Sequence, residues 1–199
     1  LHHGGIKNIE MSGGHYDSQI MDKIKKLKNE INFSIHNYFP PPKKPFTLNL
    51  ATFNDETFKI CKRHVMKTIR YCAEIGSKFY SFHGGFLIDP NPKELGKEIS
   101  RQKINNEKIA TELFLERVSF FSKIAKNEGI ELLIENNVLT KNNLKVFKKN
   151  PLMMTSTKQT EKLVKFLPKN VNLLIDLAHL KISARTLNFS APNFLKKFD

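Results

Sequence analysis

"NVNLLIDLAHLK", residues 170–181, decides how the rest of the chain is read. Val171, Leu173, Leu174 and Ile175 form the apolar run of a buried parallel strand, which ends on Asp176 with His179 just beyond. A carboxylate at the tip of a buried strand needs a cation, a set of donors or a metal, because an unpaired buried charge is costly. Taken singly, Asp176 serves equally well as a cap on the segment that follows. Recurrence of the pattern elsewhere separates the two readings.

Upstream, strand and helix alternate. "IKNIEMS" (6–12) reads as a strand, followed by a helix over roughly 17–29 with Ile20, Ile24 and Leu27 on one face. "INFSIH" (31–36) is the next strand, and the "FPPPKKP" cluster (39–45) is a stiff loop. A helix starts at Asn54/Asp55 and stops at Gly76, with an inward stripe of Phe58, Cys61, Val65, Ile69 and Cys72. "KFYSFH" (78–83) precedes a long loop and a helix over roughly 103–128, with Ile109, Leu113, Phe120, Phe121 and Ile124 apolar and Gly129 as its stop. "IELLIE" (130–135), a helix from about 157 to 167 and "VNLLID" (171–176) complete the series. This alternation predicts an α/β protein with a parallel sheet, and no linker divides it, so residues 1–199 read as one domain.

Composition narrows the classes. The 199 residues suffice for one sizeable core, with 40% hydrophobic and 26% charged residues. No apolar run approaches the roughly 20 residues of a membrane helix. "LHHGGIKNIEMSGG" lacks the apolar stretch of a secretory signal, although the sequence opens on Leu1 rather than Met. Cys61 and Cys72 share one helix about 16 Å apart along its axis, too far for a disulfide. They read as reduced thiols of a cytoplasmic protein. The net charge of +14 and pI near 9.7 invite a nucleic-acid partner, but 28 of the 33 basic residues are Lys and 5 are Arg. Those Lys are spread over every predicted helix, which describes a solvated surface better than a phosphate-binding face.

The pattern does recur. "NFSIH" ends on His36, "FYSFH" on His83, "ELLIE" on Glu135 and "NLLID" on Asp176, all side chains able to bind a metal. A closed parallel barrel brings the carboxyl ends of all its strands to one face, which carries the active site. An open sheet gathers ligands near one switch point instead. Four successive strand ends bearing ligands therefore predict a TIM (β/α)8 barrel.

Here the sequence resembles the xylose isomerase-like barrels, which include sugar-phosphate isomerases/epimerases and endonuclease IV. The motifs that carry the resemblance are "IKNIEMSGG", "FSIHNYF" with "LNLA" downstream, "FHGG", "LLIENN" and "LLIDLAHLKIS", in family order from Ile6 to Ser183. By that alignment the strands correspond to the second to sixth of eight. The first strand and the last two are then absent, as a typical barrel of about 250 residues would imply. The resemblance places a further His and Glu of the metal site on those last two strands.

What the resemblance implies is a metal-dependent sugar or sugar-phosphate isomerase/epimerase. Glu135 and Asp176 would share one divalent ion (Mn2+, Mg2+, Co2+ or Zn2+), with His83 and His36 beside them as metal ligands. Glu135 would also be the catalytic base, moving a carbon-bound proton through an enediolate. His179 and His36 would bind substrate. The alternative is endonuclease IV-like cleavage of abasic DNA by zinc ions, for which His36, His83, Glu135, Asp176 and His179 all match ligand positions. Against it, "IENNV" and "DLAH" depart from that enzyme's Asn-Thr-Ala-Gly and Asp-Thr-Cys-His forms, so a sugar partner is preferred to nucleic acid. A third reading is a non-catalytic barrel or scaffold, whose open sheet would expose apolar surface and edges and associate with other copies.

Other features have ordinary readings. Gly13 and Gly14 fit a tight turn, Gly84 and Gly85 make room beside the metal, Lys43 and Lys44 sit on a solvated loop, and His64 is a surface residue. His2, His3 and His15 carry no usable spacing, and Glu10 has no assigned role.

Overall fold

The computed structural model describes residues 5–198, so His2 and His3 lie outside the described residues. Five strands, β1 (Asn8–Met11), β2 (Asn32–His36), β3 (Phe79–His83), β4 (Glu131–Glu135) and β5 (Val171–Leu174), form one sheet. The helices are α1 (Ile20–Leu27), α2 (Asp55–Ile75), α3 (Glu107–Asn127), α4 (Lys141–Phe147), α5 (Thr157–Val164), α6 (Leu177–Leu187) and α7 (Ala191–Phe198). Strand order follows sequence order, β1-β2-β3-β4-β5, and every pair is parallel. There is no reversal of order and hence no switch point, which is the wall of a barrel rather than a doubly wound sheet.

Alternation along each strand sorts side chains to two faces. Phe33 and Ile35, Tyr80 and Phe82, and Leu132 and Ile134 are buried in the main core, together with Cys61, Val65, Ile69 and Cys72 of α2 and Phe114, Val118 and Phe121 of α3. The opposite face carries Asn8, Asn32, Glu131 and Asn172 near the strand starts, all exposed. Asn32 Nδ2 donates to Asn8 Oδ1 at 3.0 Å. Exposed apolar surface on that face comes from Phe79, with Leu133 and Leu174 half-buried, so the bare sheet is more polar than expected.

Helix ends obey local chemistry. Asn54 caps α2 by accepting from Thr57 N, and Gly76 closes it at φ +73°. Asn106, rather than a residue near 103, caps α3 by accepting from Ile109 N, so that helix starts later than the periodicity predicted. Its inward face is also rotated. Ile109 and Phe120 are exposed, and the buried row runs through Ala110, Phe114, Arg117, Val118 and Phe121. The guanidinium of Arg117 is what shifts the phase: it donates to Leu50 O at 2.9 Å and Thr52 O at 2.7 Å and stacks 3.8 Å from the Phe58 ring. Similarly Met21, not Leu27, joins Ile24 in the core from α1, which is shorter than predicted.

Three further expectations are corrected. Strand β5 stops at Leu174, two residues before Asp176. Gly84 and Gly85 make room for protein rather than for an ion: a Cβ on Gly84 would lie 2.5 Å from Met154 Sδ, and Gly85, at φ +88°, abuts Ala51, Phe114 and Met153. His64 is half-buried rather than a surface residue, and its Nε2 donates to Asn37 O at 2.9 Å. Lys43 and Lys44 are exposed as expected, and Cys61 and Cys72 are both free and buried. No helix among the described residues is long and apolar enough to cross a membrane.

The rotated face of α3 is directly testable. Phe121→Ala should cost about 3–5 kcal/mol in urea unfolding, as for other fully buried aromatics. The adjacent Phe120→Ala should cost about 1 kcal/mol or less. Equal losses would contradict the observed phase.

Candidate active site

Glu135 ends β4 with its side chain 5% exposed, at the edge where the strand tips converge. Three imidazoles from three other elements surround its carboxylate. His36, the last residue of β2, places Nε2 3.1 Å from Oε2. His83, the last residue of β3 and the register partner of Glu135, places Nδ1 3.7 Å from the same oxygen. His179, in the first turn of α6, places Nδ1 3.0 Å from Oε1. Asp176 stands further out, with Oδ2 3.9 Å from His179 Nε2 and a side chain 37% exposed. The three strand-end residues, Asp176 and His179 thus come together as the sequence predicted.

Asp176 fills the capping role weighed for it. Its Oδ1 accepts from His179 N at 2.8 Å, which makes it the N-cap of α6, while its other oxygen still faces the site. The cap also explains how one short turn brings Asp176 and His179 to the same place.

Side-chain amides brace this arrangement, and their roles were not read from the sequence. Asn37, at φ +46°, accepts His83 N on Oδ1 at 3.3 Å and places Nδ2 2.6 Å from His36 Nε2. Its carbonyl accepts from the Tyr80 hydroxyl at 3.0 Å as well as from His64. Asn136 Oδ1 accepts Asp176 N at 2.7 Å and its Nδ2 donates to Asp176 O at 3.1 Å, locking the tip of β4 to the chain leaving β5. The detectable signal is positional: in "HN" and "ENN" an Asn directly follows a strand-end ligand.

Hydrogen bonding fixes which nitrogens are free. The Ser81 hydroxyl donates to Ile35 O and so accepts from His36 Nδ1 at 2.9 Å. That leaves His36 Nε2 as a lone pair facing both the Asn37 amide and the Glu135 carboxylate. His179 Nδ1 meets two acceptors, Glu135 Oε1 and Asn136 O, at 3.0 Å each and therefore carries the proton, leaving Nε2 bare. Burial pushes the His83 imidazole down to about 4, against the pull of Glu135, so it is neutral at neutral pH. For Glu135 burial works upward, but the His179 hydrogen bond and the surrounding imidazoles outweigh it and hold the carboxyl below its ordinary value. For His179 burial works downward, yet the Glu135 and Asn136 contacts raise it overall.

This donor set fits a divalent cation. His83 Nδ1 is buried without a hydrogen-bond partner, an orphan that a metal ligand explains. Two groups of donor atoms lie within 4.8 Å of one another, His36–His83–Glu135 and Glu135–Asp176–His179, and they share Glu135. Neutral imidazoles with carboxylates and no thiolate suit Mn2+, Mg2+, Co2+ or Zn2+. A cavity of about 390 Å3 opens beside His83 and His179. A larger groove of about 600 Å3 between α3 and α5, walled by Leu115 and Phe166, is remote from these groups.

Comparison with known proteins bears on the fold. No curated protein is similar enough to match. Among solved structures, a D-tagatose 3-epimerase-like protein superposes with a TM-score of 0.68 at 17% identity, covering 96% of this chain and 62% of that one. An AP endonuclease, family 2, from Brucella melitensis gives 0.62 at 14%, with 91% and 62% covered. A xylose isomerase-like TIM barrel protein from Mycobacterium smegmatis in complex with magnesium gives 0.57 at 15%, with 94% and 60% covered. At these identities the shared property is the fold, and the chain spans about three fifths of each structure's length. The model of the xylose isomerase-like TIM barrel runs from residue 4 to residue 195, almost end to end, and on that match the chain belongs to this family.

Proposed function

We propose that this chain carries the metal and proton-transfer site of a sugar isomerase or epimerase. The observation that supports this best is that two of the imidazoles around the buried Glu135, His83 and His179, line a cavity sized for a small molecule. Glu135 and Asp176 would hold the ion, with His36 and His83 completing the donors around Glu135. When bound, the ion would supply Lewis-acid polarisation of a substrate carbonyl and its neighbouring hydroxyl.

The chain's own residues do the rest. Glu135, whose carboxyl the His179 hydrogen bond holds below its ordinary value against the effect of burial, would take the carbon-bound proton. His179 Nε2 faces outward beside the cavity and would hold a substrate hydroxyl or carbonyl. His36, fixed by Ser81 and Asn37, would line the reacting end and keep Glu135 in place. The buried thiols of Cys61 and Cys72, which burial pushes up to about 11 and 12, are inert and fit a reducing cytoplasm.

A second reading has one specific observation behind it. Glu135 belongs to both donor groups, so these residues would hold more than one ion, which would supply Lewis-acid chemistry for phosphodiester hydrolysis of abasic DNA. The cavity argues for the first reading, because Lys97 is its one Lys or Arg and a DNA-binding cleft needs several.

Two experiments test the assignment in the full-length protein. Glu135→Gln should lower turnover of the sugar substrate by about 10²-fold or more with the fold intact by circular dichroism. Wild-type turnover in that variant would refute the role of Glu135. A divalent ion at about 100 times its Kd should raise unfolding stability by about 2.7 kcal/mol, and Glu135→Gln should abolish most of that gain. A single ion per chain agrees with the isomerase reading. Several zinc ions, together with DNA binding that weakens steeply with salt, would reverse the order of the two readings.

A further inference from the structure

The cavity beside His83 and His179 changes character with distance from Glu135. Beyond the imidazoles its wall is made by Phe86, Leu95, Ile99, Val138, Leu152 and Ile182. Phe86, Ile99 and Leu152 belong to a second apolar cluster, with Ile88, Leu139 and Phe147, that is separate from the main core. This cluster is assembled from the segments following β3 and β4, so it exists at the strand tips and not behind the sheet.

Most polar side-chain atoms in this stretch are committed to the protein, the hydroxyl protons of Tyr38 and Thr140 and the Asn137 Oδ1 excepted. Asn137 Nδ2 donates to Gly85 O at 2.8 Å and Met153 O at 2.9 Å. Asn143 Oδ1 accepts Ile99 N at 2.9 Å, and its Nδ2 donates to Lys97 O at 3.1 Å. Thr140 Oγ1 accepts Asn143 N as the cap of α4, and the Tyr38 hydroxyl accepts Leu48 N. Among the described residues Lys97 is the one Lys or Arg of this wall, and its side chain is exposed. A phosphate group needs several N–H donors or a guanidinium fork, and this wall would strip its water without replacing it. A methyl or other hydrocarbon end would lose nothing there and would bury apolar area.

We propose that this cavity takes an unphosphorylated hydroxy-carbonyl compound whose end remote from Glu135 is apolar, such as the terminal methyl group of a deoxy sugar. The inference rests on the isomerase/epimerase reading for the reacting end and adds the chemistry of the other end.

The test is a panel of 2-ketohexoses in every configuration, each with its 6-deoxy and 6-phosphate forms, offered to the full-length protein with Mn2+. Binding is followed by calorimetry, and turnover by exchange of the carbon-bound proton for solvent deuterium. The 6-deoxy forms should match or exceed their parents, and the 6-phosphates should bind at least about tenfold more weakly. Ile182→Lys alters a partly exposed residue of α6 and should leave the fold intact. It should narrow or reverse the gap between phosphate and deoxy forms.

Turnover with the 6-phosphate preferred would overturn this inference and leave the isomerase reading standing. Binding in the expected order without any exchange would leave the inference standing and overturn the isomerase reading. No binding by any member would overturn both. An unchanged preference in Ile182→Lys, with the fold intact, would remove this wall from the explanation.

Discussion

A carboxylate withdrawn from water at the tip of a central strand must be compensated locally, and Glu135 imposes that demand on everything around it. Its partners cannot come from its own strand, where alternation points the neighbouring side chains the other way. They come from other elements: His179 of α6 donates the hydrogen bond, and β2 and β3 bring the rings of His36 and His83 beside it. The parallel, sequential sheet is what makes this feasible, because every strand delivers its last residue to the same edge. Topology and electrostatics are therefore two sides of one arrangement.

That arrangement has an uneven burden. His36 and His179 are oriented by hydrogen bonds to Ser81 and to the Asn136 carbonyl, and their free nitrogens are defined by those bonds. His83 has no such partner at Nδ1 and is held through its backbone by Asn37. A cluster of imidazoles around one carboxylate is satisfied in part by protein and in part by whatever occupies the centre. An unpartnered buried nitrogen beside a carboxylate is what the proposed ion would satisfy.

Much of this was legible in the sequence, and the reasons are physical. A run such as "NLLID" has one interpretation as a strand because both faces are apolar, and repetition of a ligand at each strand end follows from parallel geometry. The caps at Asn54 and Gly76 are local chemistry and were read correctly. The phase of α3 was not, because Ile109 and Phe120 carry the hydrophobic signal while the buried position goes to Arg117, whose polar head is satisfied by two carbonyls. Summed hydrophobicity has no term for such a bargain between a charged side chain and a distant loop. His64 fails similarly: it sits among Lys and Arg in sequence, and the carbonyl it serves is 27 residues away. Helices α4 and α6 escaped because their buried faces are short and set by loops that exist only once the sheet has formed.

The amides of Asn37 and Asn136 have a consequence for how such a framework tolerates change. They tie one strand tip directly to the next, so the connecting segments do not carry the mechanical task of holding the reacting groups in register. Those segments are free to lengthen, shorten or exchange side chains while the chemical centre keeps its dimensions. Loop changes in a scaffold wired in this way should leave the spacing of its strand tips unaltered.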